Sequence, residues 1–132
     1  SGDLATIPDY LPAMIRFPTY ATIGAVTVFG TAMFHNHLVK SVPGAGDTVA
    51  TSPKEVRLWF NEPPEIPFTS VTLLTADSTK IATIKAVATE DSMAVSAPLA
   101  APLQSGSYLI TWRSASRDGH AIRGTYGFSI AP

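Results

Sequence analysis

The chain contains no cysteine. Disulfides, Cys-ligated zinc, iron–sulfur clusters and thiol catalysis are therefore excluded. Charge is scarce as well: Asp, Glu, Lys and Arg make up 14% of the 132 residues, and their signs nearly cancel to a net −1. That balance argues against a nucleic-acid binder or a protein that coats an anionic membrane. No uncharged apolar run reaches the roughly 20 residues that a membrane-spanning helix needs. Catalytic signatures are missing too: there is no serine-nucleophile motif, no phosphate-cradling glycine loop and no basic stretch interleaved with aromatics. What the chain does have is 45% hydrophobic residues, 11 Pro and 9 Gly. It is too apolar to be disordered and long enough for one domain with a core. Thr and Val between Pro and Gly breaks suggest short strands and turns.

The front end reads differently from the rest. Residues 1–34 carry only Asp3, Asp9 and Arg16 as charges, and removing these leaves eight bases and eight acids from residue 35 onward. From Met14 a basic start (Arg16) is followed by the uncharged stretch Tyr20–Phe34. This suits the apolar region of a secretory signal peptide, with Ser1–Ala13 as a tag or upstream extension. The alternative is a buried element of the domain. Small residues Gly30 and Ala32 permit a cut after Ala32, whereas a cut before His35 places Phe34 at the cleavage position. The organisation expected is a leader over 1–34 and a β-domain over 35–132.

From Leu38 the chain reads as strands between turns. Leu38–Val42 stops at the Pro43–Asp47 turn cluster. Glu55–Phe60 alternates, with Val56, Leu58 and Phe60 on one face. Thr69–Thr75 is rich in β-branched residues, and Lys80–Val87 has a mixed period whose Thr and Ile favour a strand. Ser92–Ala97, Ser107–Arg113 and Gly124–Ile130 follow. Trp112 is expected in the core, and Trp59, on the opposite side from Leu58, as a half-buried packing residue. The sum is an all-β fold, a seven-stranded antiparallel Greek-key β-sandwich or barrel of the immunoglobulin or cupredoxin type.

One constellation carries chemistry. The three histidines fall in two places, His35-Asn36-His37 before the first strand and Asp118-Gly119-His120 between the last two. In extended chain, residues two apart project to the same side, so each pair presents two donors together. Three imidazoles and a carboxylate suit a tetragonal Cu(II) ion, and zinc less specifically. Each half alone has an ordinary reading: Asp-Gly-His as a turn whose Asp accepts backbone hydrogen bonds, His-x-His as a solvated stretch. Glu62 and Glu65, flanking Pro63-Pro64, read as loop charges.

The run His35-x-His37-Leu38-Val39-Lys40-Ser41-x-Pro43, then Gly46-Asp47, Pro53 and Val56-x-Leu58-x-Phe60, resembles the CopC family of periplasmic copper-resistance proteins. The closing stretch, Gly106-x-Tyr108-x-Ile110-x-Trp112-Arg113-x-x-Ser116-x-Asp118-Gly119-His120-x-x-x-Gly124-x-x-x-Phe128, is the most specific part. The resemblance implies a Greek-key β-barrel that binds one Cu(II) ion. The ligands it implies are the amine and ring of His35, with Asp118 and His120; His37 is a weaker candidate. It further implies copper resistance or homeostasis in the periplasm, sequestering copper or delivering it to a membrane transporter of the CopD type.

Two departures from the family pattern matter. Some members carry a Met-rich loop for Cu(I), whose soft ion favours thioethers. Here Met14 and Met33 lie in the leader and leave only Met93 in the domain, so no Cu(I) site is expected. With residues 1–34 attached, or after a cut behind Ala32, His35 lacks a free amine and one ligand is lost. The expectation is a carrier rather than an enzyme. The alternative is a copper-dependent oxidase or monooxygenase-like protein built on an N-terminal His. Arg113 and Arg117 are candidates for holding Asp118 in position, and Gly119 and Gly124 for turn or bulge conformations.

Overall fold

A computed structural model describes residues 36–132, and the expected leader over residues 1–34 and His35 lie outside the described residues. The chain runs β1 (Leu38–Val42), β2 (Thr48–Val49), β3 (Glu55–Phe60), β4 (Ser70–Thr75), β5 (Lys80–Lys85), β6 (Val87–Ala88), β7 (Ala94–Pro98), β8 (Gly106–Ala115) and β9 (Ala121–Ile130). Among the described residues one 3-10 turn, Ile66–Phe68, interrupts the strands. Seven of these strands have five residues or more, matching the seven expected, and β2 and β6 are two-residue additions. Among the described residues no helix is long and apolar enough to cross a membrane.

Two sheets form, one ordered β1-β3-β7-β6 and the other β2-β9-β8-β4-β5. Every pairing is antiparallel except that of β2 with β9, which is parallel. The period-2 alternation explains which residues face inward. Val56, Leu58, Phe60, Val95 and Ala97 from the first sheet meet Val71, Leu73, Ile110, Trp112, Phe128 and Ile130 from the second, all buried. Phe60 and Trp112 touch edge to face across the sandwich with ring centres 5.6 Å apart. Tyr108 stacks on Phe128 at 5.7 Å.

The mixed period over Lys80–Val87 has a structural cause. It spans a strand of one sheet and the start of a strand in the other. Ala86, buried, donates its N–H to the Thr69 carbonyl at 3.0 Å, and beyond it Val87 and Ala88 pair with β7 in the opposite sheet. Trp59 is half-buried on the outer side of β3, under the Lys40 ammonium, which lies 4.3 Å from its ring centre.

Gly124 departs from its expected role. It lies inside β9 directly opposite Trp112, and a Cβ there would stand 2.7 Å from the indole Nε1. Its lack of a side chain makes room for the indole; no turn or bulge depends on it.

Candidate metal centre

The last hairpin builds one half of the site. β8 and β9 stay in register up to Ala115 and Ala121, and the five residues Ser116–His120 close the turn. The Gly119 N–H donates to the Ser116 carbonyl at 2.9 Å, and the Ser116 N–H donates to the His120 carbonyl at 2.9 Å. This is a type I turn followed by one left-handed residue. Gly119 fills that position with φ +92°, where any side chain would be strained.

The turn aims Asp118 and His120 at each other. The carboxylate Oδ2 lies 2.8 Å from the imidazole Nδ1. Oδ1 accepts a hydrogen bond from the Ser116 hydroxyl and another, at 3.2 Å, from the His120 backbone N–H. The Ser116 hydroxyl, followed by the His120 imidazole and the His120 N–H, holds the Asp118 carboxyl well below the usual carboxylate range. Asp118 is thus an anion at any physiological pH. Both side chains remain largely exposed, 59% for Asp118 and 70% for His120, so an ion can approach from solvent.

Arg113 and Arg117 do not hold Asp118. Both are exposed, and its side-chain partners are Ser116 and His120. An arginine in solvent gains little from an exposed carboxylate, whereas a hydroxyl two residues back is placed on it by the turn. Ser116 is the residue that sequence reasoning overlooked as a positioning group, although it stands in the Trp-Arg-x-x-Ser-x-Asp-Gly-His run.

The base of the hairpin is anchored from the β3–β4 connection. Glu65 donates its N–H to the Ala115 carbonyl at 3.1 Å, and the buried Thr69 and Ser114 hydroxyls meet at 2.7 Å. Thr69 also donates to the Glu65 carbonyl at 2.8 Å.

β1 brings the second expected half to the same end. The Tyr126 hydroxyl donates to the Pro43 carbonyl at 2.9 Å, and β2 pairs with the end of β9 in parallel. Residues 38–41, 44 and 45 share a groove with Trp112 and Gly124–Tyr126. β1 pairs antiparallel with β3, so its start lies beside Phe60, whose ring meets Trp112 of β8. His37 sits just before β1 and is tied to the end of β3: its N–H donates to the Asn61 side-chain oxygen at 2.6 Å, and its carbonyl accepts from the Asn61 N–H at 3.1 Å. A bulge at Val39 follows, between the Leu38 and Lys40 pairings.

The structure therefore joins Asp118 to His120 directly and brings His37 to the same end of the sandwich. It does not assemble His37 with them: among the described residues no three His, Asp or Glu side chains converge as a metal site. The expected ligand His35 lies outside the described residues.

Comparison with known proteins points one way. The CopC domain family matches residues 38–131. The crystal structure of CopC from Methylosinus trichosporium OB3b shares 33% identity and a TM-score of 0.68, covering 74% of this chain and 95% of that one. The crystal structure of PcoC, a methionine-rich copper resistance protein from Escherichia coli, shares 30% identity and a TM-score of 0.63, covering 73% and 98%. Copper transport protein CutJ of Bacillus subtilis (strain 168) is 30% identical over 101 residues, which are 76% of this chain and 19% of CutJ. With the sandwich and its Asp-Gly-His hairpin in hand, these matches decide the family: the chain belongs to the CopC domain family of copper resistance and transport proteins.

Proposed function

We propose that the protein is a periplasmic carrier that binds one Cu(II) ion at the end of the sandwich where the Asp118–His120 hairpin meets the start of β1. The observation that carries this reading is the Asp118–His120 pair itself. Adjacent corners of a tetragonal site with bonds of ~2.0 Å stand ~2.8 Å apart, which is the Oδ2–Nδ1 separation. The pair holds that spacing as a hydrogen bond, and an ion that replaces the shared proton meets a carboxylate and an imidazole already arranged as neighbours. The nitrogen and oxygen donors suit Cu(II) over Cu(I).

His35 and His37 complete the set. Both precede β1 in the sequence, as His35-Asn36-His37. When the leader is removed before His35, its amine and ring supply two nitrogens; His37 stands by as a further imidazole. PcoC is described as methionine-rich, whereas the domain here has Met93 alone, which supports a Cu(II)-only member. A site filled by protein donors leaves no open position for a substrate, which supports a carrier in copper resistance and homeostasis over an oxidase. CutJ, a copper transport protein, matches over only 19% of its length. Delivery of the ion to a membrane copper transporter of the CopD type belongs to the same proposal.

The test is a Cu(II) titration followed by electron paramagnetic resonance, on the full chain and on a chain beginning at His35. One saturating equivalent with a nitrogen-rich tetragonal spectrum, altered when residues 1–34 are attached and lost in Asp118→Ala with His120→Ala, is the expected result. Identical spectra from both chains remove the amine from the ligand set and leave His37 in its place. No saturable binding by either chain overturns the reading.

A further inference from the structure

The eight bases and eight acids of the domain are not evenly spread. The strands of the five-stranded sheet contain Lys80, Lys85, Arg113 and Arg123 and not one Asp or Glu. Three of these four form a row: Lys85 is paired with Ser70, Ser70 with Arg113, and Arg113 with Arg123, across β5, β4, β8 and β9. All three are exposed, and none of them makes an ion pair among the described residues. Like charges directly opposite on neighbouring strands destabilise a sheet. Arg113 facing Arg123 is such a pair, and among the described residues no ion pair offsets the cost. On the other sheet, by contrast, Arg57 lies between Glu55 and Glu90.

The row borders a groove of about 680 Å³. Lys85, Arg113 and Arg117 lie on its walls, Glu65 is its one acid, and Pro67, Phe68, Ala115 and Ala121 give it apolar lining. Phe68 is 65% exposed, a large ring left in water on the 3-10 turn. Ser116, Arg117 and Gly119 form one end, so the groove abuts the hairpin that carries Asp118 and His120.

We propose that this groove is a docking site for an acidic peptide segment with an apolar anchor, on the protein that exchanges copper with this one. The chemistry is complementary at each point. Carboxylates pair with the cationic row, and an apolar side chain covers Phe68. The row crosses three strand spacings, ~14 Å at ~4.8 Å each, which an extended segment of about four residues spans. Concavity with an apolar lining fits a side chain better than a flat lipid surface. Seated there, the partner lies against the back of the metal hairpin. Its role in copper exchange rests on the carrier reading, but docking itself does not require the ion.

The experiment uses the copper-free full chain and a short fluorescent synthetic peptide of alternating Asp and Leu, read by anisotropy and by amide NMR shifts. Saturable binding that weakens with salt, with shifts confined to Phe68, Lys85, Arg113, Arg117 and their neighbours, is expected. Charge reversal by Lys85→Glu with Arg113→Glu lowers affinity tenfold or more, while Lys40→Glu on the other sheet leaves it unchanged. These positions are exposed, and matching unfolding temperatures verify that the variants fold. Equal binding of a Lys–Leu peptide, indifference to the charge reversal, no binding, or capture by phosphatidylglycerol vesicles in place of the peptide each overturns the proposal. Copper titrated separately into the same protein tells a failure of docking from a failure of the carrier reading.

Discussion

Gly124→Ala should destabilise the domain although it adds a single methyl group to a strand. The new Cβ would stand 2.7 Å from Trp112 Nε1 and 2.8 Å from Cε2 and Cζ2. The indole cannot swing clear, being 94% covered and wedged edge-on against Phe60. Overpacking of this kind costs about 1–3 kcal/mol. Against it stands a gain of about 0.4–1 kcal/mol from the stiffer unfolded chain. The net loss is about 1–2 kcal/mol, and for a domain of this size the melting temperature falls by roughly 5–15 °C. Gly127, three residues on in the same strand, is the control. There a Cβ would meet its nearest neighbour, the Tyr108 carbonyl oxygen, at an ordinary 3.4 Å, so Gly127→Ala should stay within about 0.5 kcal/mol. Circular dichroism melts and urea titrations of both variants read the difference. In a Trp112→Leu background the cost of Gly124→Ala should shrink by at least about 1 kcal/mol. Equal costs at the two glycines, or an undiminished cost without the indole, would refute the reasoning.

The hairpin supplies two further expectations. Ser116→Ala removes the hydroxyl that holds Asp118 Oδ1, and Cu(II) affinity should drop about tenfold in a competition titration. Asp118→Asn should cost more, and an unchanged affinity in Ser116→Ala would show that the turn alone orients the carboxylate. Asp118 also sets a pH dependence of stability. Its folded-state pKa is depressed from the ordinary 3.8 by the Ser116 hydroxyl first and by His120 next. Its contribution is therefore fully present above the unfolded value and is lost as pH falls through the folded one. Urea unfolding of the metal-free protein should show wild type and Asp118→Asn converging below about pH 4. A constant difference down to strong acid would mean the carboxylate is not held as an anion by these bonds.

The site was legible in part, and what was legible was local. Asp118 and His120 are two residues apart with a glycine between, and the turn chemistry that joins them acts within five residues. Their pairing follows from spacing alone. Ser116 acts over the same short range, but a serine in a loop gives no signal until the turn places its hydroxyl. The expected help from Arg113 and Arg117 failed because long exposed side chains have nothing to hold them on a carboxylate. His37 could be named but not placed, since its position depends on Asn61, which is 24 residues away. The expectations for His35 and for the leader fall outside the described residues.

By itself the sequence determined the elements. Alternation through Glu55–Phe60 and Ser107–Arg113 dictates which side chains face inward, because the strand period is fixed by backbone geometry. Gly119 dictates the turn, because only glycine takes its backbone angles without strain. The tertiary structure decided everything that depends on distant partners. It sends the chain between sheets at Ala86, where the sequence shows only a mixed period. It sets Gly124 under Trp112, so that a glycine that reads as a turn serves as a packing gap. It gathers Lys85, Arg113 and Arg123, scattered through a neutral sequence, into one row, because strand register converts separations of tens of residues into a single strand spacing. And it ties His37 and the start of β1 to the end of β3, since that placement is made by cross-strand hydrogen bonds to residues more than twenty positions away in the chain.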